Sequence, residues 1–489
     1  MDAENTRPQE EQASQTVEPM PEVQTPSPDP APADPQPVVV APTEAAKTFI
    51  SEAGGGFFSK LKTIFIVLLV LSILTGGVFA FFKFLLPRFA KPQEVTLTYW
   101  GLWEEENIIN EAISEYQKTH PNVKITYVFQ SPRDYRERLQ SALARGEGPD
   151  IFRFHNTWVP MFKTELSPVP ASVFDAASFE SAFYPVARND LRQGNSYVGV
   201  PLEIDGLGLF VNEDIFRAAG KSFPKTWDEL RQTALELTVK DSQGKIQIAG
   251  IALGRTENVD HWSDILGLMM LQNGVDLTNP TGILAEDALT YFTIFSEKDQ
   301  VWDQTLPPST TAFATGRLAM YLAPSWRVFE IKKANPNLSF TVVPVPQLQQ
   351  TNVTWASYWV EGVSKKSAFE KEAWEFVKYL SSKETLAKLY QNAAKTRLFG
   401  EPYSRTDMSA QIKEDQYAGA FVTQATAARS WYLASRTFDN GINDKMIKYF
   451  EDAVNAVNQG QSAEKALQTL NMGVSQVLSQ YGLASPVVR

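Results

Sequence analysis

The stretch LTYWGLWEEENIINEAISEYQKTHPNVKITYVF, residues 97–129, contains the pattern that decides the fold. It opens with an extended run of β-type residues that ends at Trp100. A helical pattern follows, with apolar residues recurring on one face until Pro121 stops it. The run NVKITYVF then alternates apolar and polar residues, as a half-buried strand does. The stretch therefore predicts a strand, a helix and a second strand.

The next residues repeat this order. The segment RDYRERLQSALARG has a helical face that ends at Gly146, and the short apolar run IFRF, residues 151–154, reads as a third strand. Strands that alternate with helices over about sixty residues predict a parallel sheet with helices on its faces. Further helices are indicated by a capping box at Thr226 and Glu229 and by the apolar stripe of EKEAWEFVKYL.

Two segments precede this α/β region. Residues 1–59 are rich in proline and carry ten acids against two bases, so we expect a disordered tail. Residues 60–90 include an uncharged run from Thr63 to Phe82, which is long enough to cross a hydrocarbon layer of about 30 Å. This run is longer than the centre of a signal peptide and starts far from the N-terminus, so it predicts an uncleaved transmembrane helix.

Composition excludes several classes of site. The chain has no cysteine and three histidines, which excludes disulfides, thiolate metal sites and a lipid-modified cysteine, and makes a dedicated metal site unexpected. The net charge of −11 gives no basic face for nucleic acid. The patterns GxSxG, HExxH and GxxxxGK[ST] do not occur. We therefore predict no catalytic residue, no metal and no cofactor.

Tryptophans follow two of the predicted strands. Trp100 and Trp103 end the first, and Trp158 follows the third. Ligands of open parallel sheets bind beyond the carboxyl ends of the strands. An aromatic face beside a few polar groups suits a sugar, because the ring covers its C–H face while polar groups bond its hydroxyls. The alternative is that these rings only fill the core.

From Val95 onwards the chain resembles the extracellular solute-binding proteins of ABC importers, in the family that includes maltose- and multiple-sugar-binding proteins. The resemblance is carried by the opening stretch and by five later ones: GEGPDIFRFHNTWVPMF, GVPLEIDGLGLFVNEDIF with PKTWDEL, FATGRLAMYLAPSW, KEAWEFVKYLSS and VNAVNQGQSAEKALQTL. It implies an α/β fold of the two-lobed, type II periplasmic-binding-protein kind, with the ligand enclosed between the lobes.

The resemblance also implies how the chain is shared between the lobes. The N-terminal lobe would comprise residues 95–203 with 346–399, and the C-terminal lobe residues 204–345 with 400–489. Three crossing segments would join them, near Pro201–Asp205, Val343–Gln347 and Leu398–Pro402.

The resemblance transfers a set of candidate ligand-binding residues onto this chain. Asp205, at the first crossing, would accept hydrogen bonds from sugar hydroxyls, and if buried it should have a partner. For each candidate the alternative is packing within a lobe or at the hinge. The candidates are Trp103, Glu104, Phe154, His155, Asn156, Trp158, Asp205, Glu257, Trp262, Trp326, Tyr358 and Trp359.

The expected function is capture of a small polar solute, a sugar or oligosaccharide, and its delivery to the permease subunits of an ABC transporter. A sensing receptor with the same cleft is the alternative, and a glycoside hydrolase using two of the acids is a remote one. The acids would also suit a polyamine. The charges flanking the apolar run slightly favour a cytoplasmic C-terminal part. The implied function instead favours a single-pass membrane protein with its binding domain outside and its tail in the cytoplasm.

Overall fold

The computed structural model describes residues 57–80, Lys83 and residues 93–483. The chain divides into two compact units, Met1–Ala90 and Lys91–Arg489. In the first unit, the described residues form one helix, α1, Phe57–Ala80. The predicted tail up to residue 56 lies outside the described residues, as does the predicted transmembrane segment beyond Ala80 apart from Lys83.

Helix α1 has the length and composition of a membrane span. Its segment Leu61–Phe79 contains 19 residues with a mean hydropathy of 2.3, and none of this segment is buried. A helix rises about 1.5 Å per residue, so a segment of this length is close to the thickness of a hydrocarbon layer.

The second unit alternates strands and helices along its length. Its strands are β1 (Val95–Gly101), β2 (Val123–Phe129), β3 (Ile151–His155), β4 (Arg192–Gln193), β5 (Ser196–Tyr197), β6 (Val200–Pro201), β7 (Gly208–Asn212), β8 (Val239–Lys240), β9 (Ile246–Ile251), β10 (Leu318–Ala323), β11 (Phe340–Val343), β12 (Thr354–Trp355), β13 (Trp359–Val363) and β14 (Ala428–Arg429). Its helices are α2 (Glu106–Thr119), α3 (Tyr135–Arg145), α4 (Ala176–Ala182), α5 (Pro185–Asp190), α6 (Glu213–Ala219), α7 (Trp227–Leu237), α8 (Trp262–Gln272), α9 (Ile283–Glu297), α10 (Ser309–Ala314), α11 (Arg327–Ala334), α12 (Glu370–Leu380), α13 (Lys383–Thr396), α14 (Gly419–Gln424), α15 (Ile442–Asn458) and α16 (Ala463–Gln480).

The first large sheet has the strand order β2-β1-β3-β13-β6. Strands β1, β2 and β3 are parallel, as the sequence predicts, because a helix connects each to the next. Strand β13 is antiparallel to both β3 and β6. It joins this sheet only after the chain has built the second sheet, so no strand–helix–strand crossover sets its direction.

The second large sheet has the order β11-β7-β10-β9-β8 and is formed entirely by residues 208–343. Strand β10 is parallel to β9 and antiparallel to β7. The chain therefore leaves the first sheet after β6 and returns to it at β13. This gives the two-lobed α/β architecture that the resemblance implies, with one sheet in each lobe. The residue limits assigned to the lobes stay a prediction.

The local helix signals are confirmed. Helix α2 buries Ile109, Ala112, Ile113 and Tyr116 on one face. Helix α3 ends at Gly146, which has a φ of 75°, the left-handed conformation that glycine adopts without a steric penalty. The capping box at the start of α7 forms in both directions between Thr226 and Glu229.

Candidate functional site

A cavity of about 480 Å³ lies between the two sheets of the globular unit. The loop after β1, the last residue of β3 and the first residue of β13 form one side of it, and the segment after β10 forms another. The two crossing segments near residues 205 and 400 also contribute. The lining residues are Trp103, Pro132, His155, Glu203, Asp205, Gly206, Leu207, His261, Asp264, Pro324, Trp326, Arg327, Phe329, Glu330, Ser357, Trp359, Arg397, Glu401, Ser435, Arg436, Thr437 and Phe438.

Three indole rings line this cavity. Trp103 has a φ of 68° and is 36% exposed. Its ring meets that of Trp359 edge to face, with 5.7 Å between centroids. Trp326 comes from the second sheet's side, in the segment after β10, and the guanidinium of Arg327 lies 4.3 Å from the centre of its ring. Aromatic faces from both lobes therefore border one space.

The first crossing segment supplies the buried acid Asp205. Its Oδ2 accepts a hydrogen bond from Ser325 Oγ at 2.8 Å, and its Oδ1 accepts from the backbone N–H groups of Ser325 and Gly206 at 3.1 and 2.8 Å. Burial nevertheless raises the pKa of Asp205 to about 7. The expectation that this carboxylate has a partner is confirmed. Its bonds to Ser325 fix the segment that carries Trp326.

The neighbouring Gly206 is required by close packing. A Cβ atom at this position would lie 1.8 Å from the carbonyl oxygen of Trp355. The crossing segment thus runs against the returning segment with no room for a side chain.

Two buried histidines face the cavity. His155, at the end of β3, has its Nε2 atom 3.0 Å from Ser357 Oγ, and burial lowers its pKa to about 3. His261 accepts a hydrogen bond at Nε2 from Arg327 Nε at 2.9 Å. Burial and then the charge of Arg327 lower the pKa of His261 well below its usual range. Both imidazoles are therefore neutral at physiological pH and provide polar atoms without charge.

The cations of the cavity are paired. Arg327 forms ion pairs with Glu330 and Asp260, and Arg436 Nη2 donates to Asp260 Oδ1 at 2.6 Å. Arg397 Nη2 donates to Glu401 Oε1 at 2.8 Å. The cavity therefore offers paired arginines and carboxylates, which suits hydrogen bonding to neutral hydroxyl groups.

Strand geometry separates the predicted residues into two groups. Successive side chains of extended backbone point to opposite sides, so His155 of β3 and Trp359 of β13 reach the cavity. Phe154 of β3 and Tyr358, which directly precedes β13, do not. Phe154 is fully buried in the core. The Tyr358 hydroxyl donates to Asp190 Oδ2 at 2.9 Å.

Three further candidates also lie behind the cavity wall. Asn156 Nδ2 donates to Asp190 at 2.8 Å. Trp158 is buried and packs edge to face on Trp359, with 5.3 Å between centroids. Glu104 is buried and accepts from Arg397 Nη2 at 3.1 Å. Burial and then the charge of Glu401 raise the pKa of Glu104 to about 7.

The last two candidates, Glu257 and Trp262, line a neighbouring cavity of about 700 Å³. The two cavities share Pro132, His261, Ser435, Arg436 and Phe438 as walls. Of the twelve predicted residues, the structure thus brings five together around the central cavity, namely Trp103, His155, Asp205, Trp326 and Trp359.

Several lining residues are absent from the sequence-based set. Glu203 and Glu401 lie within the predicted crossing segments, and Arg327 directly follows Trp326, so chain position was a usable signal for these three. Arg397 directly precedes the predicted crossing segment Leu398–Pro402, so its position was also a usable signal. Arg436 had no such signal, because its partner Asp260 lies 176 positions away. Arg397 reaches Glu104 across 293 positions.

Comparison with known proteins identifies the family. A family model described as bacterial extracellular solute-binding protein matches residues 102–387, more than half of the chain. A maltotriose-binding protein of Pyrococcus abyssi is 24% identical over 294 residues, which cover 57% of this chain and 60% of that protein. A multiple sugar-binding protein of Streptococcus mutans is 21% identical over 317 residues, covering 62% of this chain and 74% of that protein.

Solved structures agree in fold. The sugar-binding protein MalE of Xanthomonas citri superimposes with a TM-score of 0.66 at 20% identity, covering 79% of this chain and 98% of that one. A cyclo/maltodextrin-binding protein in complex with maltotetraose gives a TM-score of 0.65 at 18% identity, covering 80% and 98%. The family match and the shared two-lobed fold lead to one conclusion: this chain belongs to the bacterial extracellular solute-binding protein family.

Proposed function

We propose that the central cavity binds a sugar or oligosaccharide and that the protein delivers it to the permease subunits of an ABC transporter. The observation that carries this proposal is the meeting of Trp103 and Trp359 with Trp326 around one cavity, with Asp205 at its edge. Indole faces cover the apolar side of a sugar ring, and carboxylates and neutral imidazoles accept or donate to its hydroxyls. The three arginines that line the cavity are each paired with a carboxylate, so none of them is left to bind an anionic ligand.

Calorimetric titration tests the ligand class. We propose maltotriose as the first probe, since two related proteins are named for malto-oligosaccharides. Full-length protein in detergent should release or absorb heat on titration with maltotriose or another sugar of a screening set that also holds polyamines. Binding of a polyamine and of no sugar would contradict the proposal.

A pair of substitutions tests the site itself. Trp326→Ala should weaken sugar binding by about 1–3 kcal/mol, because it removes a stacking face. The matched control is Trp431→Ala, a half-buried tryptophan that packs on Tyr432 and Phe450 and does not line either of the cavities described. Equal loss of affinity in both variants would contradict a site at Trp326.

We further propose that the lobes, with the limits given from the sequence, close on the ligand by rotation about the crossing segments. Ser325 donates two hydrogen bonds to Asp205, which fixes this end of the first crossing segment to the C-terminal lobe. Small-angle scattering should show a smaller radius of gyration with bound sugar than without. A radius that does not change on saturation would contradict closure.

We also propose a single-pass anchor with the binding domain outside the membrane and the tail in the cytoplasm. Helix α1 supports the anchor, and membership of an extracellular solute-binding family supports the outside position of the binding domain. Protease added to intact cells should remove the binding domain and spare the tail. Affinity purification from membranes should recover permease subunits. Recovery of a kinase instead would favour a sensing receptor, and release of shortened sugars on incubation would favour a hydrolase over the non-catalytic role proposed here.

A further inference from the structure

A compact group of buried charges forms the wall between the first crossing segment and the third. Glu203 lies on the first and Glu401 on the third, and both line the ligand cavity. The two segments are bonded to each other, since Ile204 N donates to Pro402 O at 2.9 Å. This bond holds the two segments together, and Glu203 and Glu401 also line a second, small cavity with Arg397 and Tyr403.

The surroundings of this wall contain more acid than base. Glu104, Glu203, Glu361 and Glu401 face two guanidinium groups, those of Arg153 and Arg397. Arg153 Nε is committed to Glu361 Oε1 at 2.7 Å, and Arg397 Nη2 is shared between Glu401 and Glu104 at 2.8 and 3.1 Å. Among the described residues, the other titratable groups around Glu203, Glu401 and their partners are Tyr99, Tyr127, Tyr135, Asp205, Tyr390 and Tyr403.

Within the described part of the chain, no guanidinium group donates a hydrogen bond to Glu203. It is 5% exposed, and its Oε1 accepts from the backbone N–H of Trp359 at 3.0 Å. Its carboxyl group is also within hydrogen-bonding reach of that of Glu401. Two carboxylates in contact inside a protein cannot both stay ionised at low cost, so one of them retains a proton.

Arg397 Nη2 donates to Glu401 Oε1 at 2.8 Å, whereas the hydrogen bond to Glu203 comes from the backbone N–H of Trp359, so Glu401 is the better stabilised anion. Although burial opposes ionisation, the charge of Arg397 lowers the pKa of Glu401 to about 2. Burial, followed by the charge of Glu401, raises the pKa of Glu203 well above its ordinary value. The protonated group is therefore Glu203, and it donates to the ionised Glu401.

We propose that Glu203 is a protonated positioning residue of the binding cleft, which holds the Glu401 carboxylate toward the ligand through a shared proton. The ligand then meets one ionised acceptor, Glu401, held on one side by Arg397 and on the other by Glu203. Glu203 also accepts a hydrogen bond from the backbone N–H of Trp359. The same side chain therefore positions both the Glu401 carboxylate and the indole ring of Trp359. This inference rests on the proposed function.

Infrared spectroscopy on the full-length protein tests the proton without any ligand. At pH 8, Glu104 and Asp205, each with a pKa of about 7, are mostly ionised. A protonated-carboxyl band should be present in the wild type and lose most of its intensity in Glu203→Gln, where only the small protonated fractions of Glu104 and Asp205 remain. The matched control Glu115→Gln, an ion-paired glutamate of α2 outside the cavity, should keep the band at full intensity. A band that keeps its wild-type intensity in Glu203→Gln would overturn the proposal.

Binding of maltotriose tests the positioning. Glu203→Gln should keep an affinity within about twofold of the wild type, because the amide N–H₂ replaces the carboxyl donor and its oxygen still accepts from Trp359. Glu203→Leu should bind about tenfold more weakly, the change expected from the loss of one hydrogen bond. Wild-type affinity in Glu203→Leu would overturn the positioning role. Failure of the wild type to bind any sugar would reject the proposed function, while the infrared result would still decide the shared proton.

Discussion

Asp205 and Ser325 join the first crossing segment to the segment that carries Trp326. The serine donates to the carboxylate from both its hydroxyl and its backbone, at 2.8 and 3.1 Å, although 120 positions separate the two residues. The carboxylate thus belongs to the architecture of the cleft as well as to its lining.

We predict that Asp205→Ala lowers the free energy of unfolding by about 1–3 kcal/mol, because it leaves buried donors of Ser325 and Gly206 without an acceptor. Urea unfolding measures this change. Ser325→Ala removes only the hydroxyl donor and should cost less, and the double variant should cost less than the sum of the two. Additive costs would show that the two side chains do not act as a pair.

The stability of the protein should also depend on pH through Asp205. Its pKa of about 7 in the folded state lies above the ordinary value of about 3.9 in the unfolded chain. Between these values the folded state binds more protons, so this contribution is complete below pH 4 and is lost as the pH rises toward 7. Asp205→Asn should remove this contribution.

The measurement is the unfolding temperature of wild type and Asp205→Asn at a series of pH values. The difference isolates Asp205, because other buried groups remain in both proteins. His155, whose pKa falls to about 3, acts in the opposite direction and favours the folded state above its ordinary pKa of about 6.5. Parallel profiles for the two proteins would contradict the assignment.

The ion pair of Arg153 and Glu361 is fully inside the first lobe, with 5% and 0% side-chain exposure and a separation of 2.7 Å. Arg153→Met should destabilise the protein by about 3–5 kcal/mol, because it leaves an uncompensated buried carboxylate. The double variant Arg153→Met with Glu361→Leu should recover most of that loss. Chemical denaturation gives both values, and a double variant less stable than Arg153→Met would contradict this explanation.

The two cavities should respond differently to ligand length. Trp326 lines the central cavity and Trp262 only the neighbouring one. For a short sugar we expect Trp326→Ala to weaken binding by about 1–3 kcal/mol and Trp262→Ala to have little effect. Longer oligosaccharides should make the two losses more similar. Calorimetry over a series of chain lengths tests this, and a larger loss in Trp262→Ala with the shortest ligand would contradict it.

Much of the fold followed from local patterns. The faces of α2 and α3, the end of α3 at Gly146 and the capping box of α7 are properties of neighbouring residues, and all are present as predicted. Helix α1 was likewise evident from an uninterrupted apolar run. The antiparallel entry of β13 was not evident, because its partners lie about 200 residues earlier.

The sequence by itself determined the first strands and helices of the chain, because periodicity and capping act over a few residues, and its resemblance to known proteins indicated the family. Only the tertiary structure decided that His155 and Trp359 face the cavity while Phe154 and Tyr358 do not, and that Glu203, Arg397 and Glu401 form its wall. The physical reason is that contacts between residues hundreds of positions apart decide which side chains of a strand face the cavity. The same contacts decide which charged side chains form ion pairs. A local sequence pattern is compatible with either face of the strand being directed toward the cavity.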